Sequence, residues 1–188
     1  PGTLKYFGMS LFRIKRYDDA AKHLRKGLEL QPDDKEALFA LGQCYYELNQ
    51  ADRALKVLTH LRADPALGPS AALFAGTLHL KVRQPEEAAM DFEIGLRHEN
   101  IKQEIKTELQ YRLANTYADM QNISEALRLF DEIFSSQPGY RDVAAQIGKY
   151  RELSMNSHLK SYLLGATSEF VTLCRKLSTM FFPDAKVK

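Results

Sequence analysis

The sequence has few cysteines and only a small excess of positive charge. It has two cysteines, Cys44 and Cys174, so far apart that neither a disulfide framework nor a paired-cysteine zinc site is predicted. The net charge is only +2 at pH 7, too small to imply nucleic-acid binding through bulk electrostatics, so no nucleic acid is expected to bind the array. No apolar run is long enough to span a bilayer, and no signal peptide is visible.

These absences favour a cytoplasmic protein. The chain begins at Pro1 rather than at a methionine, so we expect it to be a fragment. If a targeting segment has been removed, the bacterial envelope or periplasm is the alternative compartment.

Motifs that carry chemistry are also missing. There is no glycine-rich phosphate loop and no HExxH zinc motif, and the five histidines are scattered along the chain. Residues 157–160 match the SxxK pattern of some acyl enzymes but lack its partner motifs. Cys174 lies on the apolar face of a predicted helix, where a core position is expected. The sequence therefore predicts a protein that is not an enzyme and that has no metal and no cofactor.

What the chain does contain is a repeat of 34 residues. Three columns keep this spacing without gaps. Their members are Gly8, Gly42 and Gly76, then Ala20, Ala54 and Ala88, then Leu24, Leu58 and Phe92. A fourth unit follows a four-residue slip at residues 103–106 and places Ala114, Ala126 and Phe130 in the same columns.

Each unit predicts a pair of helices. Apolar residues recur at three- and four-residue spacing from Leu4 to Leu11 and again from Ala20 to Leu28. The small residues at positions 8 and 20 would let two helix backbones approach closely, so a larger side chain there would be overpacked. Asp33 is expected to cap the next helix.

Residues 17–32 resemble the second half of a tetratricopeptide repeat, and residues 41–45 and 113–117 resemble its first half. The resemblance covers about residues 3–153. It implies an all-α fold, a right-handed alpha-alpha superhelix or TPR solenoid, with four helical hairpins at about 1–34, 35–68, 69–102 and 107–140. The chain departs from the family pattern in having no tryptophan and in having His79 where an aromatic belongs.

The repeat decays after residue 140. Val143 and Ile147 still match their columns, but Lys160 stands where a small alanine belongs. Residues 140–156 are therefore predicted to be a capping helix that closes the array of residues 1–156.

The C-terminal extension, residues 157–188, is predicted to contain a further amphipathic helix with Phe170, Leu173 and Leu177 on its apolar face. Residues 185–188 alternate like the start of a strand. Residues 165–187 combine a helix of the pattern Gly-x-x-x-Glu-Phe-x-x-x-Cys-x-x-Leu with a following strand. This order is similar to the opening of restriction-endonuclease-like domains. The alternative is an ordinary helix that packs on the last repeat.

In the tetratricopeptide family the first helix of each repeat lines a concave surface, which binds partners. The resemblance places these residues on that surface: Tyr6, Met9, Phe12, Phe39, Gln43, Tyr46, Leu73, Phe74, Thr77, Leu80, Tyr111, Arg112 and Asn115. Some members grip a peptide carboxylate with lysines, arginine and asparagines. Lys5 matches one such column, but Met9 and Ala40 replace the asparagines, so that clamp is absent.

The residues therefore predict a protein–protein interaction scaffold with an apolar and aromatic groove. The expected ligand is an amphipathic helix or an extended apolar segment. There are three alternatives. The same residues pack between repeats, or a segment of the same protein fills the groove, or the protein associates with itself. A further alternative is a regulatory arm of a multidomain protein whose next domain, of a nuclease-like kind, begins near residue 165.

Overall fold

The computed structural model describes residues 2–155 and 167–181, and within them every regular element is a helix. The helices in order are α1 (Gly2–Arg13), α2 (Tyr17–Leu30), α3 (Lys35–Glu47), α4 (Ala51–Leu61), α5 (Gly68–Lys81), α6 (Pro85–Leu96), α7 (Gln103–Asp119), α8 (Ile123–Ser136), α9 (Val143–Met155) and α10 (Thr167–Phe181). The helix pairs predicted from the 34-residue period are present, and α9 lies where the capping helix was predicted.

The chain forms two compact units, residues 1–116 and residues 117–188, which divide within α7. In the first unit each helix from α1 to α6 packs against the next, and α3 also contacts α1 and α5. In the second unit α8 packs against α9. The predicted boundary at residue 156 lies outside the described residues and stays a prediction.

The turn between the two helices of each hairpin has the same backbone conformation in all four hairpins. Lys15, Asn49, Arg83 and Gln121 adopt the left-handed backbone conformation, with φ of 62°, 55°, 61° and 63°. The residue that follows each of them donates its N–H to the carbonyl five positions earlier, as Arg16 does to Leu11 at 2.9 Å and Gln84 does to His79 at 2.8 Å. This bond closes the end of the first helix. The spacing of 34, 34 and 38 residues reproduces the period and its slip.

Arg83→Gly should therefore stabilise the protein, because glycine adopts a left-handed backbone without the steric cost that arginine incurs. We expect a net gain of about 0.5–1 kcal/mol in the free energy of unfolding, measured by urea titration, because the steric cost removed exceeds the extra entropy of glycine in the unfolded chain. The matched control is Asn49→Gly at the same point of the second hairpin. It should gain less, because asparagine tolerates this conformation. Equal gains at both positions would contradict the explanation.

The glycines of the repeating column, Gly8, Gly42 and Gly76, lie where two helices pack closely together. A Cβ added at Gly8 would lie 2.8 Å from Cγ of Leu24, and one added at Gly42 would lie 2.8 Å from Cδ2 of Leu58. At Gly76 it would lie 2.5 Å from the ring of Phe92, which is fully buried. The close approach predicted for these columns is confirmed.

The predicted cap of α3 is wrong by one residue. Asp34, not Asp33, accepts the bond from the N–H of Ala37, at 3.0 Å. The N–H of Asp34 donates in turn to the carbonyl of Gln31 at 3.3 Å. Residues 31–34 thus form a turn that delays the start of the helix until Lys35, so the carboxylate that faces the first helical N–H groups belongs to the later aspartate.

Helix α10 begins at Thr167 and ends at Phe181, in agreement with the predicted amphipathic helix. Leu173 is buried, but Cys174 is exposed, so the predicted core position of this cysteine is wrong. Cys174 follows Leu173 directly and is turned about 100° around the helix from it, far enough to leave a narrow apolar face. The predicted strand at residues 185–188 and the SxxK segment at 157–160 lie outside the described residues.

Candidate functional site

The residues that the sequence places on the first-helix surface all belong to the unit formed by residues 1–116. Tyr6 is 66% exposed, and the other twelve are half-buried. Half-burial is typical of side chains that pack on the core along one edge and reach solvent along the other. Several of them, including Met9, Phe12 and Phe39, do pack against the buried core of α1 to α5.

Three of the predicted aromatic residues form one cluster across two neighbouring helices. Phe74 of α5 lies 5.9 Å from Phe39 and 5.1 Å from Tyr46, both of α3, measured between ring centroids. The interplanar angles are 71° and 78°, so both contacts are edge to face. This arrangement suits the ring quadrupoles and holds the rings in fixed positions. We call Phe39, Tyr46 and Phe74 the aromatic cluster.

A cation lies over one ring of the cluster. The ammonium of Lys81, at the end of α5, is 4.0 Å from the centroid of Tyr46. The side chain of Lys81 is exposed. A cation–π contact of this kind is worth about 0.5–1 kcal/mol at an exposed site, and more where water is removed. The aromatic cluster is therefore apolar across its rings and positive at one edge.

Lys5, which matched one column of the carboxylate clamp, is already engaged within the chain. Its ammonium lies 2.6 Å from a carboxylate oxygen of Glu36 and 3.1 Å from Asp34. The hydrogen bond to Glu36, together with that to Asp34, raises the pKa of Lys5 above its ordinary value. Ala40, in an asparagine column of the clamp, is buried. Both observations argue against recognition of a peptide carboxylate at this position.

Three of the other predicted residues, Phe12, Arg112 and Asn115, make contacts outside the cluster. Phe12 of α1 lies 5.3 Å from Tyr17 at the start of α2. On α7, Arg112 pairs with Glu108 at 2.7 Å, and the amide of Asn115 donates to the carbonyl of Tyr111 at 2.8 Å. Arg112 and Asn115 therefore each have a partner on their own helix.

A polar network in the interior was not predicted from the sequence. Asp91 of α6 is fully buried and receives hydrogen bonds from Arg62, at the end of α4, and from Nδ1 of His79 on α5, at 2.7 Å. The two donors balance the buried carboxylate. The signal was present in the columns, because Arg62 stands where the neighbouring repeats have Leu28 and Leu96.

The thiol of Cys44 is not activated as a nucleophile. Burial raises the pKa of the Cys44 thiol to about 12, which keeps it protonated at neutral pH. Within residues 2–155 and 167–181, no group of three or more histidine, cysteine, aspartate or glutamate side chains is arranged to hold a metal ion. In the same residues no helix combines the length and apolar character that a membrane span requires.

Comparison with known protein families finds a match in the N-terminal part of the chain. The family model described as tetratricopeptide repeat matches residues 11–74. No curated protein sequence matches the chain.

Solved structures resemble the chain over nearly its full length. A crystal structure of MamA protein superposes with a TM-score of 0.71 at 16% identity, covering 100% of this chain and 97% of that one. MamA 41-end from Desulfovibrio magneticus RS-1 gives 0.68 at 14% identity, covering 96% and 92%. YrrB, described as a TPR protein with an unusual peptide-binding site, gives 0.68 at 20% identity, covering 96% and 86%. The predicted all-α solenoid of helical hairpins is therefore confirmed.

Proposed function

We propose that the chain is an interaction scaffold that binds an apolar segment of a partner protein, on the premise that residues 11–74 match the tetratricopeptide repeat model. The binding surface is formed by the first helices α1, α3, α5 and α7, and its centre is the aromatic cluster. The occupant is an amphipathic helix or an extended peptide that inserts an apolar side chain against the rings.

The observation that carries this proposal is the cluster itself. Its three rings are only half-buried, although each of them packs on the core. Rigid aromatic side chains that keep exposed area lose little conformational entropy when a partner covers them, so they are favoured anchors at interfaces. The neighbouring side chains Gln43, Thr77 and Leu80 carry no charge, which suits an apolar ligand.

The proposal assigns no reaction to the chain. A scaffold recruits its partner through shape and burial, and this surface offers rings, aliphatic side chains and a few polar groups rather than an activated nucleophile. YrrB, whose fold this chain shares, is a TPR protein with a peptide-binding site. Peptide binding of that general kind is what we propose for this chain.

The test is to pan a phage-displayed library of random peptides against the full chain and to measure the affinity of enriched peptides. Phe39→Ala combined with Tyr46→Ala should weaken binding at least about tenfold, because each aromatic anchor typically contributes more than about 1 kcal/mol. The matched control is Phe134→Ala, which removes a phenyl ring that is 40% exposed on α8. It should leave the affinity unchanged.

Both cluster residues also support the core, so the double variant is expected to lose some stability. Gln43→Glu provides a second test that keeps side-chain size, because it places a carboxylate one helical turn from Phe39 and Tyr46. This charge should weaken an apolar peptide without unfolding the chain, as checked by circular dichroism. Enriched peptides that bind both variants as tightly as the wild type would show that the surface is not the binding site.

A further inference from the structure

The first helices of the N-terminal unit end in a row of charges with alternating sign. Arg13, Glu47 and Lys81 share one column of the 34-residue period, and all three side chains are exposed. Within the described part of the chain none of the three forms an ion pair. Lys5 on α1 and Arg112 on α7, two other cations of the first helices, are both neutralised by carboxylates. The column therefore keeps its charges available, whereas other positions of the surface do not.

Among these three charges, Lys81 is the one in contact with the aromatic cluster. Its ammonium lies over Tyr46, whose ring is in turn 5.1 Å from Phe74. A ligand side chain that covers these rings also removes water from the ammonium. Taking a charge out of water is costly unless another group compensates it, and the face of Tyr46 does so only partly. A carboxylate on the ligand would restore the balance with a charge-assisted hydrogen bond.

We propose that Lys81 makes the aromatic cluster selective for a peptide segment in which the anchoring apolar side chain has an aspartate or glutamate close to it. This inference rests on the proposed function, since it concerns the same surface. It adds the chemical character of the ligand, which the cluster alone does not specify.

Glu47 further restricts the sequence of the peptide that the cluster would bind. It follows Tyr46 directly and is the member of the charged column that precedes Lys81. Its carboxylate would repel a second acidic residue on the α3 side of the cluster, because like charges at an interface oppose binding. The preferred segment therefore carries an isolated acidic residue beside its anchor, rather than a run of acidic residues.

The experiment pans one library of random phage-displayed peptides against three forms of the full chain. Peptides enriched by the wild type should carry aspartate or glutamate within about one helical turn of the apolar anchor. Lys81→Glu should reverse this preference to lysine or arginine and weaken the wild-type peptides about fivefold. Lys56→Glu is the matched control, because it makes the same charge change at an exposed, unpaired lysine on the second helix α4. It should keep the acidic preference.

The outcomes separate this inference from the function on which it rests. If apolar anchors are enriched but the acidic preference is the same for Lys81→Glu as for the wild type, the role of Lys81 is wrong while the groove stands. If Lys56→Glu reverses the preference as strongly, the selectivity comes from net charge and the inference fails. If the enriched peptides bind the Phe39→Ala, Tyr46→Ala variant undiminished, the groove and the role of Lys81 fail together.

Discussion

Asp91→Val should lower the free energy of unfolding by about 3 kcal/mol, the low end of the range for breaking a buried ion pair by removing one partner. The carboxylate is fully buried and holds two donors, the guanidinium of Arg62 and Nδ1 of His79. Valine leaves both donors without an acceptor. The side chain of Arg62 is 28% exposed and can turn towards water, but that of His79 is only 14% exposed. The imidazole therefore carries most of the cost.

The repeat itself supplies the compensating substitutions. The columns of Arg62, His79 and Asp91 hold Leu28, Tyr45 and Val57 in the hairpins that precede them. The triple variant Arg62→Leu, His79→Tyr, Asp91→Val should recover most of the lost stability or exceed the wild type. An apolar set that fills the same space avoids the desolvation cost of a buried ion pair. The triple variant measures the net contribution of the network to the free energy of unfolding. The single variant measures the cost of removing one member and leaving the others unpaired.

Urea unfolding followed by far-ultraviolet circular dichroism is the appropriate measurement, because the chain has no tryptophan to report by fluorescence. An Asp91→Val variant within about 0.5 kcal/mol of the wild type would mean that the carboxylate is not a structural centre of the third hairpin. A triple variant that is no more stable than the single one would mean that the apolar columns of one hairpin do not fit the next.

The period of 34 predicts the hairpins well because each close approach needs a small residue at the same place. Gly8, Gly42 and Gly76 recur for that physical reason, and the structure confirms it. The left-handed turn residues could not be predicted in the same way. Lys15 and Arg83 have no intrinsic preference for that conformation, which the helix-closing hydrogen bond imposes on them.

The buried network escaped prediction for a different reason. Each of its members is ordinary alone, since arginine, histidine and aspartate also occur on solvated helix faces. What distinguishes them is that Arg62, His79 and Asp91 depart from their columns together, around the third hairpin. Several departures of opposite charge around one hairpin indicate a buried ion pair. The departure at His79 was visible in the sequence, but it does not indicate the pair without those at Arg62 and Asp91.

The sequence assigns the candidate surface to the first helices, which stays a prediction, and it does not give the contacts between the side chains. Column positions predict which helix face a residue occupies, and they placed Phe39, Tyr46 and Phe74 on neighbouring first helices. They do not predict side-chain rotamers, which decide that these three rings touch while Phe12 turns to Tyr17. The cation over Tyr46 depends on a rotamer in the same way.

Gly76→Ala should destabilise the N-terminal unit by about 1–2 kcal/mol. The added Cβ would lie 2.5 Å from Cε1 of Phe92 and 2.8 Å from two further ring atoms. That ring is fully buried and rigid, so either α5 or α6 must move. Overpacking of this kind costs about 1–3 kcal/mol, and the intrinsic preference of a helix for alanine over glycine returns only about 1 kcal/mol.

Gly148→Ala is the matched control, because no atom lies within 4 Å of a Cβ added at Gly148 on α9. Here the helix preference acts alone and should stabilise α9 by about 1 kcal/mol. Hydrogen exchange followed by mass spectrometry reports each helix separately, so faster exchange is expected in α5 and α6 for the first variant and slower exchange in α9 for the second. At Gly42 the added Cβ would meet Leu58, a flexible side chain, so Gly42→Ala should fall between the two. If Gly76→Ala slowed exchange as Gly148→Ala does, close packing would not be the reason that glycine occupies this column.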